Sequence, residues 1–183
     1  MSETLTAPVQ TGTWTVDPSH STVGFVVRHL GFSKVRGGFT GFEGSLDVAE
    51  DVTQTTGSVT IHADSFDSDD ADRDAHVKSA DFLDVETYPT LDFTITEVRP
   101  RGEDRYTVVG DLTIRGLTKR VELDAEFLGV DTDPFGNVKA GVEASAEINR
   151  EDFGLTWNAT LESGGLLVGK TVQIVLELQF SRA

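Results

Sequence analysis

Cysteine is absent from this 183-residue chain, which excludes a disulfide framework, a thiol nucleophile and a thiolate metal site. Basic charge is scarce. Fifteen Lys and Arg stand against 31 Asp and Glu, for a net charge of −16. A nucleic-acid partner or an anionic membrane surface calls for a basic footprint, so the overall charge argues against both. A solvated acidic exterior accounts for the excess. Long apolar runs are missing too, since nothing approaches the roughly 18 residues that a bilayer-spanning helix needs. The opening Met1-Ser2-Glu3-Thr4-Leu5-Thr6-Ala7-Pro8 has neither a basic start nor an apolar stretch. It does not read as a signal peptide, and a cytoplasmic location is expected. Gly-x-Ser-x-Gly, the P-loop and the dinucleotide glycine fingerprint are all lacking. No enzymatic activity is expected.

What the chain does have is alternation. Val172, Ile174, Leu176, Leu178 and Phe180 alternate with Gln173, Glu177 and Gln179. Val142, Ala144, Ala146 and Ile148 do the same against Glu143, Ser145 and Glu147, as do Val121, Leu123, Ala125 and Phe127 against Glu122, Asp124 and Glu126. A period of two marks strands with one apolar and one wet face. About nine such strands are expected, near 12–17, 22–30, 41–49, 56–64, 90–98, 104–114, 119–131, 137–149 and 169–181. Hairpin turns follow at 101–104, 115–117 and 133–137, so the order is up-and-down and antiparallel. The fold class is all-β: an elongated eight-stranded antiparallel barrel. Residues 1–11 read as a flexible tail and residues 12–183 as one domain.

Two stretches break the pattern. Ser68 to Lys78 reads as a short helix with Ser68 as its cap and acids in its first turn. Arg150 to Gly165 reads as a long connection before the last strand. Gly37-Gly38 and Gly164-Gly165 read as turns.

An eight-stranded barrel stands at the threshold between a side-chain-filled core and a ligand cavity. Small inward residues, Gly110, Ala125, Ala140, Ala144 and Ala146, favour a cavity. The other inward positions include Phe25, Val27, Leu91, Phe93, Ile95, Leu112 and Ile114. Only His29 interrupts this apolar stripe. Such a space suits a long hydrocarbon better than a sugar or a nucleotide.

Metal chemistry has weak signals. His20, His29, His62 and His76 show no ligand spacing of a zinc site. Asp70-x-Asp72-x-Asp74 resembles the start of a calcium loop, but Ala75 replaces the turn glycine and Asp81 the terminal Glu. Neither a metal nor a cofactor is expected.

Several blocks together resemble one family. They are Trp14-Thr15-Val16-Asp17-Pro18-Ser19-His20-Ser21 with Phe25, His29 and Gly38-Phe39; Arg73-Asp74-x-His76-Val77-Lys78-Ser79-x-Asp81-Phe82; Tyr88-Pro89-x-Leu91-x-Phe93; Gly110-Asp111-Leu112-Thr113-Ile114-Arg115-Gly116-Leu117-Thr118; and Asn149-Arg150-x-Asp152-Phe153-Gly154. In this order they resemble the YceI-like, polyisoprenoid-binding, lipocalin-like family. The resemblance implies a barrel without catalytic activity that holds an isoprenoid or other long-chain amphiphile. The expected lining is Phe25, Val27, His29, Phe39, Phe42, Leu91, Phe93, Ile95, Leu112, Ile114, Phe127, Val142, Ala144, Ala146, Ile174 and Leu176. His20, Arg28, Arg73 and His76 are the headgroup candidates, with Arg36 and Lys78 as further cations. The expected partner is thus a long-chain isoprenoid or fatty amphiphile, with no nucleic acid and no membrane insertion. A homodimer is left open. The competing expectation is a structural or stress-related interaction protein with a filled barrel.

Overall fold

Alternation in the sequence becomes alternation of burial. In the computed structural model, which describes residues 10–183, Val121, Leu123 and Ala125 are buried while Arg120, Glu122 and Asp124 between them are exposed. Eleven strand segments form: β1 (Gly12–Val16), β2 (Thr22–His29), β3 (Ser33–Phe39), β4 (Phe42–Val48), β5 (Thr56–His62), β6 (Phe66–Asp67), β7 (Thr90–Pro100), β8 (Arg105–Ile114), β9 (Leu117–Thr132), β10 (Val138–Asn149) and β11 (Val168–Arg182). Among the described residues one α-helix, α1 (Ala71–Lys78), stands between β6 and β7. The segments make a single antiparallel sheet in the order β1-β4-β5-β7-β8-β9-β10-β11-β2-β3-β6, closed by pairing of β1 with β11.

Three pairs of segments are halves of bent strands, so the wall is an elongated eight-stranded barrel. β1 and β2 lie end to end along β11, which pairs with β1 through Phe180–Arg182 and with β2 from Val168 to Glu177. At the break between them, Asp17 N–H donates to the Gln179 carbonyl (2.8 Å) and Ser21 Oγ accepts from Gln179 N–H (2.9 Å). β3 and β4 are one strand bent at Thr40-Gly41, and β5 and β6 one strand bent at Ala63–Ser65. These two bends are tied by Thr40 N–H to the Ser65 carbonyl (3.2 Å) and His62 N–H to the Gly41 carbonyl (2.8 Å). At one end the eight strands close fully. At the other, β6 has no strand beyond it, and α1 with residues 79–89 follows.

The structure adds two strands to the nine expected from alternation. β6 is too short to show a period. β3 contains Gly37 and Gly38, expected to be a turn, yet both pair with β2. A Cβ on Gly37 would stand 2.7 Å from the tip of the Phe25 ring, so this glycine makes room for an aromatic across the strands. The expected hairpin turns are present. At the second, Arg115 and Gly116 both have positive φ (51° and 73°), as tight hairpins require. The helix is capped by Asp70, which accepts from Arg73 N–H (2.9 Å), rather than by Ser68. Ser68 instead donates from N–H and Oγ to Asp74. The calcium-like acids thus serve the helix start. Of the expected tail, residues 1–9 lie outside the described residues. Gln10 and Thr11 accept from Arg182, and the Gln10 carbonyl also from the indole of the buried Trp14.

Asp17 fastens the first bend to the far strands. One carboxylate oxygen accepts from Ser19 N–H and Oγ (3.1 and 2.6 Å). The other lies 2.9 Å from His20 Nδ1 and 3.2 Å from Lys139 Nζ on β10. The Ser19 hydroxyl first, then His20, hold this carboxyl well below the usual carboxylate range. Its protonation on acidification therefore begins in the unfolded chain, near pH ~4, and the stability it contributes is lost as pH falls toward the folded value. Asp17→Asn should lower the stability at pH 7 by about 1–2 kcal/mol. Urea denaturation across pH should show the gap to wild type closing below pH ~4.

Candidate functional site

The barrel encloses an apolar cavity of about 530 Å³, inside the roughly 300–1,000 Å³ range of small-molecule sites. Along β11 alone its wall runs through Val168, Val172, Ile174, Leu176 and Leu178, ten residue steps or roughly 33 Å of extended chain. The space is long and narrow. Cross-strand register stacks its wall in rungs, such as Ile148, Val172 and Val27, then Ile174 beside Phe25.

Rings lying along the wall keep the axis clear. Phe25 leans over Gly37, and Phe93 lies over Gly110 so closely that a Cβ there would collide with it. Phe25 also stacks on Phe66 (5.3 Å between centroids, 22° between planes), and Phe39 meets Phe66 edge-on (5.6 Å, 75°). These aromatics come from the neighbouring strands β2, β3 and β6. They pack side by side and do not meet across the barrel.

Of the lining residues expected from sequence, Phe25, Val27, His29, Phe39, Phe42, Leu91, Phe93, Leu112, Ile114, Ile174 and Leu176 face this cavity. Ile95, Phe127 and Val142 instead line a second apolar cavity of about 120 Å³, toward the closed end beside Trp14, Ala140 and Phe180. Ala144 and Ala146 line neither and belong to the packed wall. The register explains this: Ala144 sits between Ala125 and Leu176, and Ala125 faces Tyr106, so larger neighbours on the same rung take up the room.

Polar lining groups gather at one end, among them Arg28, His29, Asp72, Arg73, His76 and Arg150. Most of them come from α1 and the connection before β11, not from the strands. Arg73 is engaged, its Nε donating to Ser68 Oγ (2.7 Å) and its NH2 to the Ser68 carbonyl (2.6 Å). His76 Nε2 lies 2.9 Å from Asp81, with the ring edge-on to Trp157 (4.6 Å) and Phe82 (5.1 Å). His29 is half-buried, and its ring makes no hydrogen bond among the described residues. Arg28 makes no ion pair among them either. His20 is outside the cavity: it stands exposed at the first bend, bonded to Asp17 and Ser19. Arg36 and Lys78 do not line the cavity. No group of three His, Cys, Asp or Glu among the described residues is placed to hold a metal ion.

Alternation gave no access to the residues that close the polar end. Trp157, Leu155, Phe82 and Leu83 line the cavity from irregular segments. The signals that could have found them were the motif block ending at Phe82 and large apolar side chains, Leu83, Leu155 and Trp157, inside segments without alternation. Arg150 holds this plug. It is 3% exposed, and its guanidinium donates to four backbone carbonyls, those of Leu155 (2.6 Å), Trp157 (2.9 Å), Gly169 (2.9 Å) and Val168 (3.3 Å). Burial pushes its pKa down, and Glu151 works the other way. The fork geometry lets one side chain fasten both ends of the connection, which an ammonium could not do.

The family model for the YceI-like domain matches residues 14–180. A UPF0312 protein of Photorhabdus laumondii is 44% identical over 135 residues, which are 73% of this chain and 70% of that protein. The crystal structure of Burkholderia cenocepacia BcnA superposes with a TM-score of 0.79 at 24% identity, covering 90% of this chain and 98% of that one. A polyisoprenoid binding domain from Saccharophagus degradans, implicated in plant cell wall breakdown, gives a TM-score of 0.72 at 15% identity over 95% and 100% of the two chains. At these identities the two solved structures carry the fold alone.

Added volume separates the cavity wall from the packed wall. Val172→Phe should change stability by less than about 1 kcal/mol, because its new bulk enters open space. Ala144→Phe should cost about 1–3 kcal/mol. Paired denaturant titrations check this, and equal costs would mean the two positions share one kind of packing.

Proposed function

We propose that this chain, which belongs to the YceI-like family, is a non-catalytic carrier or store of a long-chain isoprenoid lipid of the polyprenyl or quinone type. The observation that carries the reading is the asymmetry of the cavity: apolar over its length, with polar side chains at one end only. That distribution matches an amphiphile with one headgroup. Each methylene moved from water into such a space is worth about 0.8 kcal/mol, so a long chain outweighs the cost of ordering it. A filled barrel, the competing expectation, has no use for this space.

The headgroup candidates separate by what they already touch. Arg73 and His76 are committed to Ser68 and Asp81, and His20 is remote from the cavity. His29 and Arg28 remain for the ligand. His29 donates to or accepts from the lipid headgroup, and its neighbours Val27 and Phe25 hold the first segment of the hydrocarbon. The polyisoprenoid binding domain of Saccharophagus degradans supplies the ligand class to test first. A cytoplasmic location belongs to the same proposal and is checked by fractionation of the host.

Native mass spectrometry of protein purified from its own host should find a bound prenyl lipid. His29→Leu should retain hydrocarbon binding while losing discrimination between polyprenyl alcohol, phosphate and diphosphate. Absence of any co-purifying lipid, together with no uptake of added polyprenyl lipid, would overturn the reading.

A further inference from the structure

The β2–β3 hairpin differs from the rest of the surface in charge, in exposure and in backbone conformation. Residues 18–42 contain no Asp or Glu, in a chain with 31 of them. Arg28, Lys34 and Arg36 are all exposed there, Arg28 lies directly opposite Lys34 across the strands, and none makes an ion pair among the described residues. At the tip, Phe32 is 84% exposed and Leu30 38%. Phe32 N–H closes the turn onto the His29 carbonyl (3.1 Å), with Leu30 and Gly31 both at positive φ (55° and 72°). Glycine or asparagine suits such a position, and leucine is strained there. The fold keeps an apolar side chain at the tip despite that strain.

This tip is at the mouth of the cavity. Leu30 N–H donates to the carbonyl of Leu167 (2.9 Å), whose neighbour Leu166 is also exposed. His29, Leu167 and Val168 line the cavity beside it. A second exposed phenylalanine, Phe135 (87%), provides the contrast. It lies on the β9–β10 turn at the opposite end, flanked by Asp131 and Asp133. Only the phenylalanine at the mouth stands among cations.

We propose that the β2–β3 hairpin docks the protein on an anionic phospholipid bilayer, with Phe32 and Leu30 entering the interface and Lys34 and Arg36 meeting the headgroups. Apolar tips ringed by basic side chains bind such surfaces by these two contributions together. The net charge of −16 does not prevent it, because the Debye length at physiological salt is about 8 Å. The far end of the barrel lies roughly 40 Å away, at 13 strand steps along β11. The other rim of the mouth carries Asp72 on α1, so docking is tilted onto the hairpin. A lipid tail would then pass from bilayer to cavity without crossing bulk water. That purpose rests on the carrier reading, whereas the docking itself does not.

Co-sedimentation with vesicles containing no polyprenyl lipid tests docking separately from carriage. Wild type should bind vesicles of phosphatidylglycerol and phosphatidylcholine in equal parts, ignore pure phosphatidylcholine, and be released by salt. Lys34→Gln/Arg36→Gln should weaken binding roughly 25-fold at low ionic strength, a factor of about five per cation, while taking up polyprenyl lipid from detergent as wild type does. Phe32→Ser should weaken binding several-fold and Phe135→Ser leave it unchanged, with circular dichroism showing that each variant is folded. Should the double variant misfold, Lys34→Gln alone should lose about fivefold. Equal binding to both vesicle types, no binding at all, or equal effects of the two phenylalanine changes would overturn the proposal. So would self-association without vesicles that Phe32→Ser abolishes, which would assign the tip to a second copy.

Discussion

In a closed sheet of eight strands, an inward phenylalanine reaches toward the axis unless a neighbour without a side chain lets its ring lie down. Phe25 on Gly37 and Phe93 on Gly110 are two such pairs, on opposite sides of the β5 strand. Each places a large apolar surface where it lines the wall without filling the interior. The long cavity, its aromatic lining and the closure of strands β2, β3 and β6 around Phe66 all depend on that packing. Where the same wall has an alanine set between a strand neighbour and Leu176, as at Ala144, it is packed instead.

The two ends of the barrel are built differently. At the closed end, β1 joins β11 and Trp14 packs with Phe180. At the other, backbone without strand partners forms the plug, and its carbonyls need donors. Arg150 supplies them from the centre, a buried cation whose hydrogen bonds run to four peptide oxygens and not to a carboxylate. Because no acid neutralises it directly, its charge remains next to the lumen. A positive end is consistent with a lipid whose headgroup is anionic.

Much of the fold was legible because it follows from a period of two. β9, β10 and β11 appear in the sequence as alternating stripes and in the barrel as rungs of paired residues. β3 was hidden because its glycines, which mimic a turn, answer to Phe25 on the next strand. That is a relation between strands, and no local window contains it. The same limit applies to Ala144, whose neighbours Ala125 and Leu176 are far away in sequence. The irregular end was the least readable. Trp157 and Leu155 are positioned by Arg150, and neither their spacing nor their composition announces a lumen. The family blocks pointed to several of these residues through resemblance, without indicating what each touches.

One continuous apolar space, polar at a single end, is proposed to receive a hydrocarbon chain lengthwise. A crystal structure of the protein equilibrated with a polyprenyl phosphate tests it most directly. Density is expected for one extended chain running from beside His29 and Arg28 along Val172, Ile174 and Leu176 toward Leu178, with the rings of Phe25 and Phe93 unmoved over their glycines. A lipid seated with its phosphate at the closed end, or an interior that collapses as Phe25 and Phe93 swing onto the axis, would contradict it.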